Sequence, residues 1–494
     1  MVESSHRRLV CLLASIMFVI MLIWIKDSSL RYDLIDVGPF HEPRSDPTYT
    51  SKYFDISLRP EMDSVFVLAK IARNHSYLTV QVYTRRPDCV RNGSYCSYRF
   101  YAEGDEAFGG ALHPASSGTN SDSVAKFLSN PIKIWSNPMS LAISTIVACP
   151  ANPFPQTNVH YELISNPYIQ IQFQNITSDI GLNRDHLRNC SRDSLQDFRW
   201  VSASRVRSEG SMIDPREYSV NPYFEQQYVL VPEQCRDHWI TSDEIMKALD
   251  GKGLDIVLVG TSRMRELFND FNVAFDSTDN LIAPGYEDSW AKVNDQINIG
   301  HCFTVIKRHQ QRTVDWIRER FIHFANEHNI CGDGDDRIQV IVVSFGIWEA
   351  MIFPVDDPDT YFHNYTDTII SAILDRCTKR NEKVMIMTQP YQHEWFQPVP
   401  DQDQIMGSDP VRIGWIVESA RFPFLTKMNR VWERIASDHD LTLINAGDIT
   451  AGRRRAAVDN LHYRVNPDTI RGNEVSLAIL QRILYHLVRF ATDQ

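Results

Sequence analysis

Residues 255–263 read DIVLVGTSR, and this stretch carries most of the information about how the C-terminal half folds. An apolar, β-branched run that ends at a glycine is typical of a buried strand in a parallel sheet. A helical pattern follows over 263–274, and strand and helix then alternate to the C-terminus. Helices are predicted over 314–327, 359–377, 425–437 and 473–490, and strands over 338–345, 383–387 and 441–445. This order predicts an α/β domain over 235–494, with a parallel sheet flanked by helices and a site at the carboxyl ends of its strands.

Residues 57–230 follow a different pattern, because short β-like runs alternate with Asn, Gly and Pro. The runs lie at 65–71, 78–83, 98–101, 141–147 and 168–173. Short strands separated by turn residues are typical of all-β domains. We therefore expect a β-rich accessory domain, similar to a β-sandwich, ahead of the α/β domain.

The N-terminus contains an apolar run over 9–25 with basic residues before it. At about 1.5 Å per residue, a helix of this length spans roughly 25 Å, which is enough for a thin bilayer. The preceding basic residues favour a cytoplasmic tail over 1–8 and a translocated C-terminus. A cleaved signal peptide is the alternative, but the residues from Trp24 onward do not form a small-residue cleavage site. We expect a single-pass type II protein of the Golgi or ER membrane, with 26–56 as a stem.

Composition and charge agree with a globular lumenal body. Of the 494 residues, 43% are hydrophobic and 23% are charged, which is a globular and not a disordered balance. The formal net charge of -12 is opposite to the basic surface of a general nucleic-acid binder, so that class is excluded as a partner. Sequons for N-glycosylation occur at Asn74, Asn92, Asn175, Asn189 and Asn364.

Nine cysteines are present, and Cys11 lies in the apolar run. The other eight form an even set, which suits disulfides in an oxidising compartment. They are Cys89, Cys96, Cys149, Cys190, Cys235, Cys302, Cys331 and Cys377. Their pairing cannot be deduced from the sequence, although Cys89 and Cys96 are close enough to close a local loop. No Cys-x-x-Cys pair occurs, so we expect no zinc ribbon, and neither a metal nor a bound cofactor is predicted.

A candidate nucleophile lies where the strand over 255–260 meets the next helix. Gly260 allows a tight turn, so Ser262 is expected at the start of that helix. Backbone amides and the positive end of the helix dipole at such a position favour a developing oxyanion. Serine is also a common helix N-cap, so the position alone does not establish a nucleophile.

A candidate base and its orienting acid follow the last predicted strand. Asp459 and His462 form the only Asp-x-x-His in the chain. This spacing lets a carboxylate bond one ring nitrogen while the other nitrogen takes a proton from a serine. Chance alone produces about one such motif in a chain of this length, so its placement is what matters. Ser262 after the first strand and His462 after the last would meet at one edge of a parallel sheet.

Residues 260–267, GTSRMREL, resemble the Gly-Asp-Ser block that opens SGNH hydrolases, and are closer still to the Gly-Asp-Ser-Arg-x-Arg form of sialic-acid and capsule O-acetyltransferases. Asp459 and His462 match the closing Asp-x-x-His block of that family. The order of anchor, β-rich domain and PC-esterase-like domain resembles the NXPE proteins. The resemblance implies an SGNH-like, flavodoxin-like sheet and acyl transfer, most often of acetyl, to or from glycan hydroxyls. It also implies a glycan or glycoprotein acceptor and an acyl donor such as acetyl-CoA.

The chain departs from the family pattern at two positions. Thr261 stands where the family has Asp before the serine, and Gly346-Ile347-Trp348 stands where SGNH hydrolases have Gly-x-Asn. Gly346 keeps a backbone that suits an oxyanion hole. The indole of Trp348 is a hydrogen-bond donor but does not match an amide in shape.

Two arginines and several aromatic residues are candidates for substrate binding. Arg263 and Arg265 follow the serine, and a guanidinium can hold a sugar carboxylate through two hydrogen bonds. A surface ion pair in the first turn of the helix is the alternative. Trp348, Trp395 and Tyr463 are candidates for stacking on a sugar, with aromatic core packing as the alternative.

Two other functions stay open at this point. A glycosyltransferase needs an Asp-x-Asp motif for a metal-bound nucleotide sugar, and 333–335, 357–359 and 401–403 have these letters. Their positions before a strand or within Pro-rich loops predict turns instead. Thr261 and Trp348 favour the second alternative, a glycan- or protein-binding protein with a decayed esterase site. The sequence does not separate a transferase, which passes the acyl group to a sugar, from an esterase, which passes it to water.

Overall fold

A computed structural model describes the chain in segments between Tyr49 and Asp493, and the residues from Pro47 onward form one compact unit. The described residues are 49–59, 62–72, 77–84, 96–115, 125–134, 139–148, 159–163, 169–171, 190, 198–209, 228–232, 235, 239–282, 287–304, 314–332, 336–346, 358–377, 379, 381–390, 422–453, 456–457, 462–464 and 472–493. The predicted cytoplasmic tail, the apolar run over 9–25 and most of the predicted stem lie outside them.

Antiparallel strands make up the N-terminal part of the described chain. They are β1 Tyr49–Arg59, β2 Met62–Ala72, β3 Tyr77–Thr84, β4 Cys96–Gly104, β5 Glu106–Pro114, β6 Ala125–Leu128, β7 Ile132–Lys133, β8 Met139–Ala148, β9 Val159–Leu163, β10 Ile169–Ile171, β11 Phe198–Ser202 and β12 Tyr228–Pro232. Their order is β1-β2-β3-β6-β5-β4-β8-β10, with β7 beside β3, β9 beside β8, and β11 between β5 and β12. Each of the five β-like runs predicted between 57 and 230 overlaps one of these strands, although only 169–171 of the run over 168–173 are described.

A second sheet has six strands in the described chain. They are β13 Leu254–Gly260, β14 Ser289–Lys292, β15 Ile297–Phe303, β16 Ile338–Ser344, β17 Glu382–Met387 and β18 Thr442–Ile444. The order is β14-β15-β13-β16-β17-β18, and every pair except β14 with β15 is parallel. Every residue of β13 is buried, as expected for a continuous apolar run in the middle of a sheet covered on both faces.

Helices follow or precede these strands. They are α1 Ala203–Glu209, α2 Ser242–Leu249, α3 Ser262–Ala274, α4 Val314–Glu327, α5 Pro358–Arg376, α6 Phe422–Asp438, α7 Ala446–Ala451 and α8 Glu474–Thr492. Thr241 and Glu244 form a capping box at the start of α2, and Asn473 caps α8 by accepting from the amide of Val475. The turn predicted at the Asp-Pro-Asp letters of 357–359 is wrong for Pro358 and Asp359, because α5 begins at Pro358. Proline is well tolerated at the first position of a helix.

The predicted fold class is wrong. We expected a parallel, SGNH-like sheet preceded by a β-rich accessory domain and a transmembrane helix, whereas the structure is a mixed α/β fold with more than one sheet. The strand β14 lies antiparallel on the edge, because a short turn closed by the Val293 amide and the Ile297 carbonyl returns the chain directly into β15. Among the residues that the structure describes, no helix combines the length and apolarity needed to cross a bilayer. The run over 9–25 is not among those residues.

One hydrophobic core joins the antiparallel strands to the α/β part. Trp200 and Val229 of β11 and β12 lie in the same buried cluster as Met264 of α3 and Leu480 of α8. The Trp200 indole also donates to the carbonyl of Ile449 in α7 over 2.8 Å. The β-rich strands therefore pack directly on the helices that surround the second sheet.

The described cysteines confirm disulfide bonding but not complete pairing. Disulfides join Cys190 to Cys235 and Cys331 to Cys377. Cys302, which we expected to pair, is a buried free thiol in β15, and burial raises the pKa of this thiol above its usual range. Asn364 is exposed on α5, so its sequon side chain faces solvent, whereas the other four sequon asparagines lie outside the described residues.

A buried polar network ties the amino ends of three central strands together. Asp255 Oδ1 accepts from Arg337 Nε and from Asn298 Nδ2, each over 2.8 Å. Asp255 Oδ2 accepts from Gln339 Nε2 over 3.2 Å. The Arg337 guanidinium also donates to the carbonyls of Leu254 and Gln296 over 2.8 Å each. The side chain of Asp255 is only 3% exposed, so its charge is balanced by protein groups and not by water.

Replacing Asp255 by alanine would leave these donors without their acceptor inside the sheet. We expect Asp255→Ala to lower the free energy of unfolding by about 3 kcal/mol, measured by urea denaturation. Asp295→Ala is a matched control, because Asp295 pairs with Lys292 at 2.9 Å but is 97% exposed, so we expect no measurable change. Equal losses in the two variants would contradict the role assigned to burial.

Candidate active site

The turn after β13 is built around the glycine that the sequence singled out. A Cβ atom placed on Gly260 would lie 2.0 Å from the carbonyl oxygen of Ser344, and 2.5 Å from Cγ of Met264. Such distances are impossible for a side chain next to rigid backbone, so only glycine allows β13 and β16 to end this close together. The carbonyl of Gly260 accepts from the Thr304 amide over 2.9 Å, which also joins the end of β15 to this edge.

Ser262 is the first residue of α3 and is partly exposed. The N-cap is Thr261, so the alternative that Ser262 merely caps the helix is wrong. The amides of Met264 and Arg265 donate to the Thr261 carbonyl and begin the helical hydrogen bonding. Helix geometry leaves the earlier amides without an acceptor inside the helix, and the dipole makes this end positive. The hydroxyl of Ser262 therefore lies where negative charge on a neighbouring oxygen is stabilised.

His462 approaches this serine from the C-terminal part of the chain. Its Nε2 lies 3.0 Å from Ser262 Oγ, although the two residues are 200 positions apart in the sequence. The His462 side chain is 13% exposed, so one edge of the pair stays open to solvent. A hydroxyl at hydrogen-bond distance from a ring nitrogen is the arrangement in which histidine can remove the hydroxyl proton. The predicted meeting of serine and histidine at one edge of the sheet thus occurs in the structure.

Asp459, the predicted orienting acid, lies outside the described residues, so its contact with His462 stays a prediction. A different carboxylate is close to the imidazole. Oε1 of Glu266, one helical turn after Ser262, lies 3.8 Å from His462 Nε2. The same oxygen accepts from Arg464 Nε over 2.6 Å. Sequence reasoning missed Glu266, although its spacing of four from the candidate serine on a predicted helix was a usable indication.

Asp270 continues the same face of α3 one turn further. Its Oδ1 accepts from the Gly472 amide over 2.8 Å, and its Oδ2 accepts from the hydroxyl of Ser476. The pKa of Asp270 is raised to about 7, mainly by burial and also by the nearby charge of Glu266, while the two hydrogen bonds and the charge of Arg464 oppose this shift. At neutral pH this carboxyl is therefore close to the midpoint of its titration.

The other predicted substrate-contacting residues differ in their placement. Gly346 has a φ of 132°, and a Cβ there would meet Met428 at 2.6 Å, so glycine is required at the end of β16. Trp348 and Trp395 lie outside the described residues. Tyr463, directly after His462, is 3% exposed and belongs to the hydrophobic core, which is the packing alternative.

Both arginines after the serine are buried. Arg263 is 5% exposed, and its Nη1 donates to the carbonyl of Pro390 beyond β17. Arg265 is 7% exposed. The pKa of His301 in β15 is lowered to about 3, mainly by burial and also by the positive charge of Arg265. The alternative of a surface ion pair is therefore wrong for both arginines, while binding of a sugar carboxylate stays a prediction.

A buried amide network supports the neighbouring strand ends. The side-chain Nε2 of Gln389 donates to Ser344 Oγ over 2.6 Å. The backbone N–H of Gln389 donates to Asn429 Oδ1 over 2.7 Å. Asn429 Nδ2 returns a hydrogen bond to the Gln389 carbonyl over 2.9 Å. These residues lie at the ends of β16 and β17 and on α6, and they fix the backbone beside the Gly260 turn. Sequence reasoning missed them, since an isolated amide side chain carries no motif.

One group in the described residues has the spacing of a metal site, namely Cys331, Cys377 and Glu382. The two sulfur atoms are already joined in a disulfide, so they are not thiolate ligands. This group therefore does not form a metal centre, and it lies at the amino edge of the sheet, near the start of β17 and away from Ser262.

The burial of Asp270 predicts a pH dependence of stability. Between about pH 4 and pH 7 the folded protein keeps the Asp270 proton that the unfolded chain has lost, so stability falls as pH rises through this window. Asp270→Asn keeps the shape and the hydrogen bond accepted from the Gly472 amide, and its NH2 group can donate to the Ser476 hydroxyl instead of accepting from it, but the titration is removed. We expect urea denaturation to show the wild type losing on the order of 1 kcal/mol per pH unit relative to Asp270→Asn, with no further divergence above pH 7. Parallel curves for the two proteins would contradict the prediction.

The carboxyl edge of the second sheet thus combines a partly exposed serine at a helix N-terminus with a histidine nitrogen at 3.0 Å and a carboxylate 3.8 Å from that same ring nitrogen. Similarity searches return neither a family model nor a curated protein that matches the chain.

Proposed function

We propose that this protein is a serine acyl-transfer enzyme that moves an acyl group, most often acetyl, to or from hydroxyl groups of glycans. The observation that carries the proposal is the 3.0 Å contact between His462 Nε2 and Ser262 Oγ at the N-terminus of α3. A serine hydroxyl is a weak nucleophile at neutral pH and becomes effective when a base removes its proton as it attacks. The contact supplies that base, and the helix N-terminus supplies a positive environment for the oxyanion.

The reaction proceeds in two balanced halves. Ser262 Oγ attacks the acyl carbonyl carbon while His462 Nε2 takes the hydroxyl proton, and the carbonyl oxygen becomes an oxyanion near the first amides of α3. The oxyanion collapses, the bond to the donor breaks, and His462 returns the proton to the leaving oxygen or sulfur. An acceptor hydroxyl then gives its proton to His462 as it attacks the acyl-serine, the bond between the acyl carbon and Ser262 Oγ breaks, and His462 returns the proton to that oxygen. A sugar hydroxyl yields a transferred ester, and water yields hydrolysis.

The substrate class and the cellular setting rest on sequence features. The blocks at 260–267 and 459–462 resemble those of glycan O-acetyltransferases and PC-esterase-type proteins, which supports acetyl and glycan hydroxyls as the reacting groups. The disulfides Cys190–Cys235 and Cys331–Cys377 support an oxidising compartment, so we place the reaction in the Golgi or ER lumen. Acetyl-CoA is the donor that this class implies, and a glycan or glycoprotein is the acceptor.

A fluorophosphonate probe tests for the activated serine in the full-length protein. We expect covalent labelling of the wild type and labelling reduced at least a thousandfold in Ser262→Ala and His462→Ala, because each removes one half of the nucleophile–base pair. Labelling is measured by intact-protein mass spectrometry over time.

Two variants serve as matched controls. Ser204 is an exposed serine in the first turn of α1, and His439 is a histidine that pairs with Asp367 at 2.7 Å. Ser204→Ala and His439→Ala are expected to label like the wild type. A folded wild type that takes no label would contradict the acyl-transfer proposal and favour a binding protein with a decayed site.

A further inference from the structure

One face of α3 holds the segment that carries His462. Ser262, Glu266 and Asp270 follow one another at intervals of four, so they lie one above the other on the helix. Each contacts the chain between 462 and 476: Ser262 meets His462, Glu266 meets Arg464, and Asp270 meets Gly472 and Ser476. The helix that presents the serine therefore also sets where the histidine lies.

Among the three residues on this face of α3, Glu266 lies close to both His462 and Arg464. Its Oε1 is 3.8 Å from His462 Nε2 and 2.6 Å from Arg464 Nε. The side chains of the three residues are 8%, 13% and 12% exposed. Charges this close and this shielded from water and salt interact more strongly than surface pairs do.

The position of Glu266 matters for the proton that His462 handles. Nε2 is the atom facing the Ser262 hydroxyl, so the proton arrives at Nε2 and the positive ring forms directly opposite Glu266. A carboxylate there favours the charged ring, whereas the guanidinium of Arg464 opposes it. The pair Glu266–Arg464 thus contains one group that stabilises the protonated base and one that restrains this effect.

We propose that Glu266 is a positioning residue that fixes His462 beside Ser262 through Arg464 and stabilises the imidazolium formed when His462 takes the serine proton. This inference rests on the proposed acyl-transfer function. It differs from that function because it assigns a carboxylate on the nucleophile's own helix, in addition to the acid predicted at Asp459.

The charged groups around His462 determine how the inference is tested. Glu266 and Asp270, both on α3, contact the chain between 462 and 472. Arg464 lies two residues after His462 and pairs with Glu266. Arg263, also on α3, is directed to the carbonyl of Pro390 beyond the end of β17. Burial raises the pKa of Asp270 to about 7, so this carboxyl is mostly protonated in acid solution and about half ionised at neutral pH.

The test compares Glu266→Gln with Arg464→Gln in the full-length protein. Glu266→Gln keeps an oxygen acceptor for Arg464 but removes the charge. We expect it to slow fluorophosphonate labelling at least tenfold and to move the acid limb of the pH–rate profile about one pH unit lower. Arg464→Gln leaves the carboxylate unopposed, so we expect its acid limb to move in the opposite direction. Similar losses in both variants with an unmoved profile would reduce Glu266 to a structural anchor and overturn the inference.

A measurement that needs no activity separates this inference from the proposed function. The ring resonances of His462, assigned by comparison with His462→Ala, are titrated by NMR in wild type, Glu266→Gln and Asp295→Asn. We expect a lower titration midpoint for Glu266→Gln and an unmoved midpoint for Asp295→Asn, because Asp295 is 97% exposed and pairs with Lys292. An unmoved midpoint in Glu266→Gln overturns the inference even if Ser262 is labelled. A lowered midpoint in a protein that takes no label supports the inference and refutes the proposed reaction.

Discussion

The close approach of β13 and β16 at their carboxyl ends is the constraint on which the site depends. A side chain at Gly260 would collide with the Ser344 carbonyl, so the two strands can only end together where one of them has glycine. The chain passes from the buried strand into α3 within two residues, which makes Ser262 the first helical residue at the sheet edge. The serine therefore lies at the positive end of the helix dipole, at the point where β13 passes into α3.

The regular spacing of side chains along α3 determines where the other residues of the site are bound. Its rise of about 5.4 Å per turn spaces Ser262, Glu266 and Asp270, and each meets a different point of the chain between His462 and Ser476. His462, Arg464, Gly472 and Ser476 are thus held at successive points along one helix. Buried hydrogen bonds to charged groups are stronger than neutral ones, which suits a segment that must keep a ring within hydrogen-bond distance of a hydroxyl.

Much of this arrangement was accessible from the sequence, and the failures have physical causes. Apolar periodicity predicted β13, β16 and the main helices, and the placement of Ser262 and His462 after the first and last strands predicted that they meet. The strand β15 was missed because its run INIGHCF includes Gly300 and the buried polar residue His301, which break the apolar pattern that marks a central strand. The antiparallel edge strand β14 was also missed, because four residues are too few to show a period. Without β14 the second sheet was predicted to be purely parallel, whereas one of its strands is antiparallel.

The burial of charged residues could not be predicted from the sequence. A charge in a helical pattern is normally assigned to the solvated face, because isolated burial is costly. Arg263, Glu266 and Asp270 are nevertheless all buried, and each has a partner far away in the sequence: Pro390, Arg464 and Gly472. Partners at such separations leave no local pattern, so single-sequence reasoning places these residues on the surface by default. For the same reason the sequence did not predict the contact of Glu266 with His462, although it did predict His462 as the base.

The β-rich strands take part in holding the site as well. The segment that contains His462 begins near Arg453 and ends near Glu474, and these two residues form a buried ion pair at 2.5 Å that joins its ends. The guanidinium of Arg453 lies 4.1 Å from the centre of the Tyr228 ring of β12, and Trp200 of β11 bonds the helix just before it. A buried ion pair is costly to break, and here its cation is packed against aromatic rings of the antiparallel sheet. The antiparallel sheet therefore supports the base of the segment whose middle is fixed by α3, and the geometry of the serine–histidine contact depends on both halves of the described chain.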